Sequence, residues 1–227
     1  MKSSIAIFLF LILVIPQCVF AQSKKEIRYK QHYMDVNQRF YNNGQYSPLM
    51  KWNRDIKYTV AGNMDSYWNK RVVKIMDDVQ ELFPYRITFT SDKEEADLVI
   101  FLGNIQAYKL HYLSRDIELQ EGSNNWFSFY QDNQNNLNFV SFCVDVESID
   151  IRDFESYLMH RFILKGFGLM GYSDDTDSVF FNDWMPGNDR WSRKDIVALK
   201  IHYSEAFKSG MSREQVEDVI RLLPLSL

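Results

Sequence analysis

Histidine is scarce in this chain: four residues, at positions 32, 111, 160 and 202 of 227. No two of them stand one helical turn apart. A helical zinc pair needs that spacing, so the motif H-E-x-x-H is excluded in every register. Cysteine is scarcer still, with only Cys18 and Cys143. Cys18 falls in an N-terminal apolar segment whose removal leaves a single thiol, which excludes an intramolecular disulfide. Stability must then come from packing, and an apolar fraction of 46% with 17 Phe and 13 Tyr suits that demand. There is no basic run longer than Lys24-Lys25, and the formal charge is −4. Phosphate contacts call for clustered cations, so a nucleic-acid partner is excluded and anionic membrane surfaces are disfavoured. The chain also lacks G-x-S-x-G, a phosphate-cradling glycine loop and the D-x-D-x-D-G spacing of an EF-hand.

The one long apolar run is at the start. Lys2, an apolar core from Ile5 to Ile15 and the small-residue site Val19-Phe20-Ala21 predict a signal peptide over residues 1–21. The mature chain is expected to begin at Gln22, to have no membrane span, and to be periplasmic or extracellular. Two other readings are a retained anchor, for which the run is short, and a lipid on Cys18, for which Pro16-Gln17 is a poor approach. Cleavage takes away one Lys and no acid, leaving a formal charge of −5.

Residues 22–49 read as a polar, tyrosine-rich arm with a short helix near residues 34–41, and residues 50–227 as one domain. Alternation at Ile56, Tyr58 and Val60 predicts a strand ending at Gly62. The stripe Trp68, Val72, Ile75, Met76, Val79, Leu82 and Phe83 predicts a helix closed by Pro84. Ile87 and Phe89 mark a second strand, and residues 98–102 are apolar on both parities, as in a strand covered on both faces. A helix between the first two strands favours a right-handed crossover and parallel pairing. Residues 105–122 are less regular. Residues 126–130 and 137–144 flank an Asp/Asn-rich turn and predict a hairpin. Ser192 with Asp195 and Ser212 with Gln215 open two short C-terminal helices.

Between these lies the stretch of most chemical interest, residues 154–183. Phe154, Tyr157, Leu158, Phe162 and Ile163 give a helical stripe, with Asp150 or Asp153 to cap its start. Gly166, Gly168 and Gly171 then mark an exit into a loop with Asp174, Asp175, Asp177 and Asp183. Arg161 and Lys165 share the apolar face of that helix, so each needs a partner or water. Two readings stand: an internal salt bridge to the acidic loop, or a cleft that binds an anion or an acidic chain terminus. The acidic loop itself reads as solvated or, less simply, as a calcium site. Cys143, beside Phe142 and Val144 in a strand, reads as a buried structural thiol, with a thiol nucleophile near His160 as the alternative. His202 and Glu205 read as an exposed polar pair.

The helix and its glycine exit resemble the active-site helix of zincin metallopeptidases, H-E-x-x-H-x-x-G-x-x-H in the metzincin form. With Gly168 as the turn glycine, Arg161 and Lys165 take the two helical ligand positions. Phe162 replaces the glutamate, and Gly171 stands where the third histidine would be. A closer resemblance is to a family of uncharacterised secreted bacterial proteins, often lipoproteins, with a degenerate zincin-like domain. It rests on IKYTVAG, WNKRVVKIMDDVQELF, ADLVIFLGN, GFGLMGYSDD, DSVFFND, WSRKDIVALKIHY and SGMSREQ, across roughly residues 50–222. Relatives usually carry an acid and a glutamine where this chain has Arg161 or Phe162 and Lys165. The resemblance implies an α+β, zincin-like fold: a mixed twisted sheet, a backing helix, a central pseudo-active-site helix and a small C-terminal helical cap. In it, residues 50–171 form the sheet and helix subdomain and residues 172–227 the acidic loop and last helices. An antiparallel hairpin strand is expected to border the cleft, as in zincins.

The resemblance and the missing ligands together imply an exported, noncatalytic protein with a binding or structural role in the cell envelope and an unidentified protein or peptide partner. The alternative is a secreted metallopeptidase-like hydrolase with an atypical metal site. No cofactor, metal ligand or catalytic residue is expected. The pseudo-site cleft is assigned to Arg161, Phe162, Lys165, Gly168, Gly171, Asp174, Asp175 and Asp183.

Overall fold

The computed structural model describes residues 23–41, 43–63, 65–112, 125–146 and 152–225. The expected signal peptide, the start at Gln22, Cys18, Asp150 and Gly122 lie outside the described residues. The elements run α1 (Lys24–Val36), β1 (Ile56–Gly62), α2 (Ser66–Gln80), β2 (Ile87–Phe89), β3 (Leu98–Leu102), α3 (Ile105–Tyr112), β4 (Asn125–Gln131) and β5 (Leu137–Val144). They continue with α4 (Arg152–Gly166), α5 (Arg193–His202) and α6 (Arg213–Leu222). The fold is α+β, and the five strands among the described residues form one mixed sheet in the order β2-β1-β3-β5-β4.

Pairing follows the connections. β1 lies parallel to β2 and to β3, and β3 parallel to β5, each reached through a crossover. β4 pairs with β5 antiparallel across the short Asp/Asn turn, so it forms an edge. In that turn Asn135 has φ +62°, and the Asp132 carboxylate accepts from the Gln134 and Asn136 backbone N–H groups at 2.8 and 2.9 Å. Side-chain-to-backbone bonds of this kind are what make Asp and Asn turn residues.

The alternate parities of β3 have different neighbours. Leu98, Ile100 and Leu102 join the main core, whereas Phe101 joins Ile105, Tyr108 and Cys143 in a smaller cluster beneath α3. This explains a strand apolar at every position. The stretch after residue 105 is more regular than its sequence suggests, since α3 buries Ile105 and Tyr108 and the Tyr108 hydroxyl shares a 2.7 Å hydrogen bond with Ser141. Cys143 is the buried thiol expected, donating to the Gly103 carbonyl at 3.2 Å, and burial pushes it up to about 12.

The expected helix near residues 34–41 is found instead at Lys24–Val36, ending where it was expected to begin. Tyr33 and Val36 are fully buried in the main core with Leu49, Met50 and Trp52. α1 packs chiefly on α5 and also touches α6. Both C-terminal helices open with the expected reciprocal capping boxes, Ser192 with Asp195 and Ser212 with Gln215.

Candidate functional site

α4 is the central helix, and every residue from Glu155 to Leu164 is buried. Gly166 is packed close to the sheet: a Cβ there would meet Val140 and Leu98 at 3.4 and 3.5 Å. The helix ends in a Schellman motif, with Leu169 N–H donating to Leu164 O at 3.2 Å and Gly168 N–H to Lys165 O at 2.9 Å. Two further carbonyls of the exit accept side-chain donors, Gly166 O from Trp52 Nε1 at 2.8 Å and Phe167 O from the Tyr203 hydroxyl at 3.0 Å. The orphan acceptors of the last turn are thus satisfied by α5 and by the segment before β1.

The turn glycine has the expected left-handed backbone, φ +98° at Gly168. Gly171 is confined for a different reason. Its N–H donates to Val36 O at 2.8 Å, and a Cβ would lie 2.1 Å from the Asp35 carbonyl oxygen. The end of α1 therefore fills the space into which a side chain at 171 would project.

Arg161 is buried at 8% exposure, with Nη1 donating to the Tyr157 hydroxyl at 2.7 Å and to Phe181 O at 3.3 Å. Tyr157 in turn donates to Phe181 O at 2.6 Å. Arg161 Cζ and Lys165 Nζ both lie over the Tyr172 ring, 4.9 and 4.5 Å from its centroid. Phe162 turns under the sheet between Phe127 and Phe142, with ring centroids 5.8 and 5.6 Å away. The internal salt bridge expected here does not form. Asp175 pairs with Lys194, Asp174 and Asp183 are exposed, and no carboxylate lies within ion-pair distance of Arg161 or Lys165 among the described residues. The physical reason is that the acidic loop meets α4 through a backbone carbonyl and the Tyr172 ring, while its acids turn toward solvent and α5.

Arg161, Phe162 and Lys165 are thus brought together, Gly168 and Gly171 close the exit, and Asp174 and Asp175 line a separate surface with Arg28 and Lys194. Between α4 and the β4 edge opens a cleft of about 340 Å³ whose walls include Trp126, Phe127, Phe129, Met170, Lys165 and Arg39. The β4 aromatics stand where a hairpin strand was expected to border the cleft, whereas Arg39 had no signal in the sequence, because only the tertiary fold carries it to Lys165. A larger cleft, about 620 Å³, opens beside α2; there Asp78, Glu81 and Asp189 alternate with Arg71, Lys74 and Arg193, and Arg71 is paired with Asp189. Arg190 and Lys200 also line it, so its charges are mixed with cations in excess.

Three histidines are buried. His202 is fully buried, not part of an exposed pair with Glu205, and its Nε2 donates to Met50 O at 2.9 Å. His160 Nδ1 donates to Ser156 O at 2.8 Å. His32 bridges Ser173 and Asp195 at 3.2 and 3.0 Å. Among the described residues no three His, Cys, Asp or Glu side chains are grouped to hold a metal ion.

Burial lowers His160 to about 4 and His202 to about 3, from an ordinary 6.5. Below pH 6.5 the unfolded chain therefore binds protons that the folded chain refuses, and the stability present above 6.5 is lost as the pH falls through the folded-state values. Urea unfolding is expected to show a loss on the order of 3 kcal/mol per histidine between pH 7 and 4. A flat profile over that interval would show that these rings are not held neutral.

The family described as "Protein of unknown function (DUF2927)" matches residues 25–222. No curated protein matches the chain. Among the described residues no helix is long and apolar enough to cross a membrane.

Proposed function

We propose, for a chain that belongs to the DUF2927 family and so to one without an assigned activity, an exported, noncatalytic, zincin-like domain that binds an extended polypeptide between α4 and the β4 edge. The observation that carries this reading is the state of the helical positions that would hold zinc. Arg161 and Lys165 occupy them, Phe162 is packed where the general base would stand, and the end of α1 closes the third position at Gly171. A dication beside two cations is disfavoured, whereas the concave shape remains. The β4 edge supports the polypeptide part, because among the described residues no strand neighbours its outer N–H and C=O groups and an extended chain can pair with them. The signal-like residues 1–21 support export, and the envelope is the compartment that this reading assigns.

The test is the metal content of protein recovered from the exported fraction with Gln22 at its N-terminus. Less than a tenth of an equivalent of zinc is expected, as an order-of-magnitude figure for adventitious metal. The triple change Arg161→His, Phe162→Glu and Lys165→His is expected to bind zinc only weakly, since Gly171 still offers no third imidazole. A stoichiometric zinc in the unmodified protein would overturn the noncatalytic reading.

A further inference from the structure

Lys165 has an unusual setting for a lysine. It is half-buried against Tyr172, and no hydrogen bond or ion pair of its ammonium is found among the described contacts. The charged groups that act on it are Arg161, from its own helix, and Arg39, from the segment after α1. Tyr172, from the loop, is the ring over which it lies. Burial first, and then these two cations, lower it to about 7. Arg39 is exposed, stacked over Tyr41 at 5.3 Å, and without an ion pair among the described residues. Apart from Asn125, the rest of the cleft wall is aromatic and apolar, with Trp126, Phe127, Phe129 and Met170 beside Phe162 and Tyr172. A concave site with three cations around it, no carboxylate among its described lining residues and mostly apolar walls is complementary to an anion carried on an apolar chain.

We infer that the cleft contains a carboxylate subsite, in which Lys165 and Arg39 hold the carboxylate of an extended peptide while Phe127, Phe129 and Met170 cover its neighbouring apolar side chain. The inference rests on the peptide-binding reading and adds the chemistry of the ligand. One ammonium and one exposed guanidinium can donate to both oxygens of a carboxylate, and the apolar wall beside them suits a carboxylate carried on an apolar chain. The carboxylate can be the chain terminus or an Asp or Glu side chain, because both present the same two oxygens. Arg161 is a positioning residue: its Nη1 is committed to Tyr157 and Phe181 O, and its charge raises the potential at the subsite.

Binding should also depend on pH. A carboxylate favours protonated Lys165, so affinity should be high below pH 7 and fall as the pH rises past Lys165's titration, which the bound ligand shifts upward.

The experiment is calorimetric titration of the exported protein with three acetyl-capped Val-Thr hexapeptides: one with a free C-terminal carboxylate, one amidated, and one amidated with a single internal Glu. At pH 6 the free acid, the Glu peptide or both are expected to bind about tenfold more tightly than the plain amide. Whichever does so identifies the source of the carboxylate. Lys165→Met and, separately, Arg39→Ser should shrink that preference to below about threefold, the exposed Arg39 change being the safer for folding. Equal binding of all three peptides would overturn the subsite and leave the peptide-binding reading standing. In the converse case no hexapeptide binds, but acetate shifts the Lys165 resonance of ¹³C-methylated protein saturably and loses that effect in Arg39→Ser. That outcome would uphold the subsite and sink the peptide. Silence in both measurements would overturn both.

Discussion

Gly168→Ala is expected to destabilise the protein by at least about 4 kcal/mol, the range reserved for severe steric or network damage. The backbone at this position has φ +98°, and an added Cβ would lie 2.1 Å from the Met50 carbonyl oxygen and 2.6 Å from His202 Nε2. Those two atoms are themselves hydrogen-bonded at 2.9 Å, so neither can withdraw without breaking the tie between α5 and the segment before β1. Gly187 provides the control. It has the same φ of +98° but nothing within 4 Å of an added Cβ, so Gly187→Ala should show the conformational term alone, about 1–2 kcal/mol. Urea unfolding of the two variants separates strain from collision. If they lose the same stability, the close approach of α4's exit to Met50 and His202 is misread.

Asp195→Ala is expected to cost about 3–5 kcal/mol, the loss that follows when one partner is removed from a buried pair. Asp195 is fully buried and its carboxylate accepts four hydrogen bonds, the capping-box bond from Ser192 N–H at 2.9 Å and three more from Ser178 Oγ at 2.6 Å, His32 Nε2 at 3.0 Å and Val179 N–H at 3.3 Å. These donors come from α1, the acidic loop and the start of α5. Removing the carboxylate would leave all four without their acceptor in a dry place, and each unsatisfied group carries its own penalty. Hydrogen exchange should then rise across residues 173–192 ahead of global unfolding. Asp175→Ala, which removes the partly exposed pair with Lys194, should cost no more than about 1 kcal/mol. Should Asp195→Ala prove as mild as Asp175→Ala, the junction contributes far less than its geometry suggests.

The same residues show how far the chain could be read before it was folded. Ser192 and Asp195 were legible as a capping box because that motif is made by atoms three residues apart. The larger role of Asp195 was not legible, since His32 is 163 residues away in sequence. Arg161 and Lys165 were legible as two cations on one side of α4, and the acid-rich loop nearby suggested their partners. The partners of Arg161 proved to be the Tyr157 hydroxyl one turn earlier on α4 and a loop backbone carbonyl, Phe181 O, the latter set by how the loop turns and not by its composition.

Local chemistry in the sequence thus determined most elements: the alternation of β1, the two-faced apolar run of β3, the Asp/Asn hairpin, the α2 stripe, and the glycine at α4's exit. It also determined that H-E-x-x-H is absent, because that motif is a matter of spacing alone. The tertiary structure decided what depends on distant segments meeting. It placed α1 against α5, although the buried face of α1 includes Lys30 and His32 and so carries a weak apolar pattern. It closed Gly171 with the end of α1, gathered Arg39 and the β4 aromatics around Lys165, and left that ammonium without a carboxylate partner among the described residues. Periodicity reports which face of an element is covered; only packing decides what covers it.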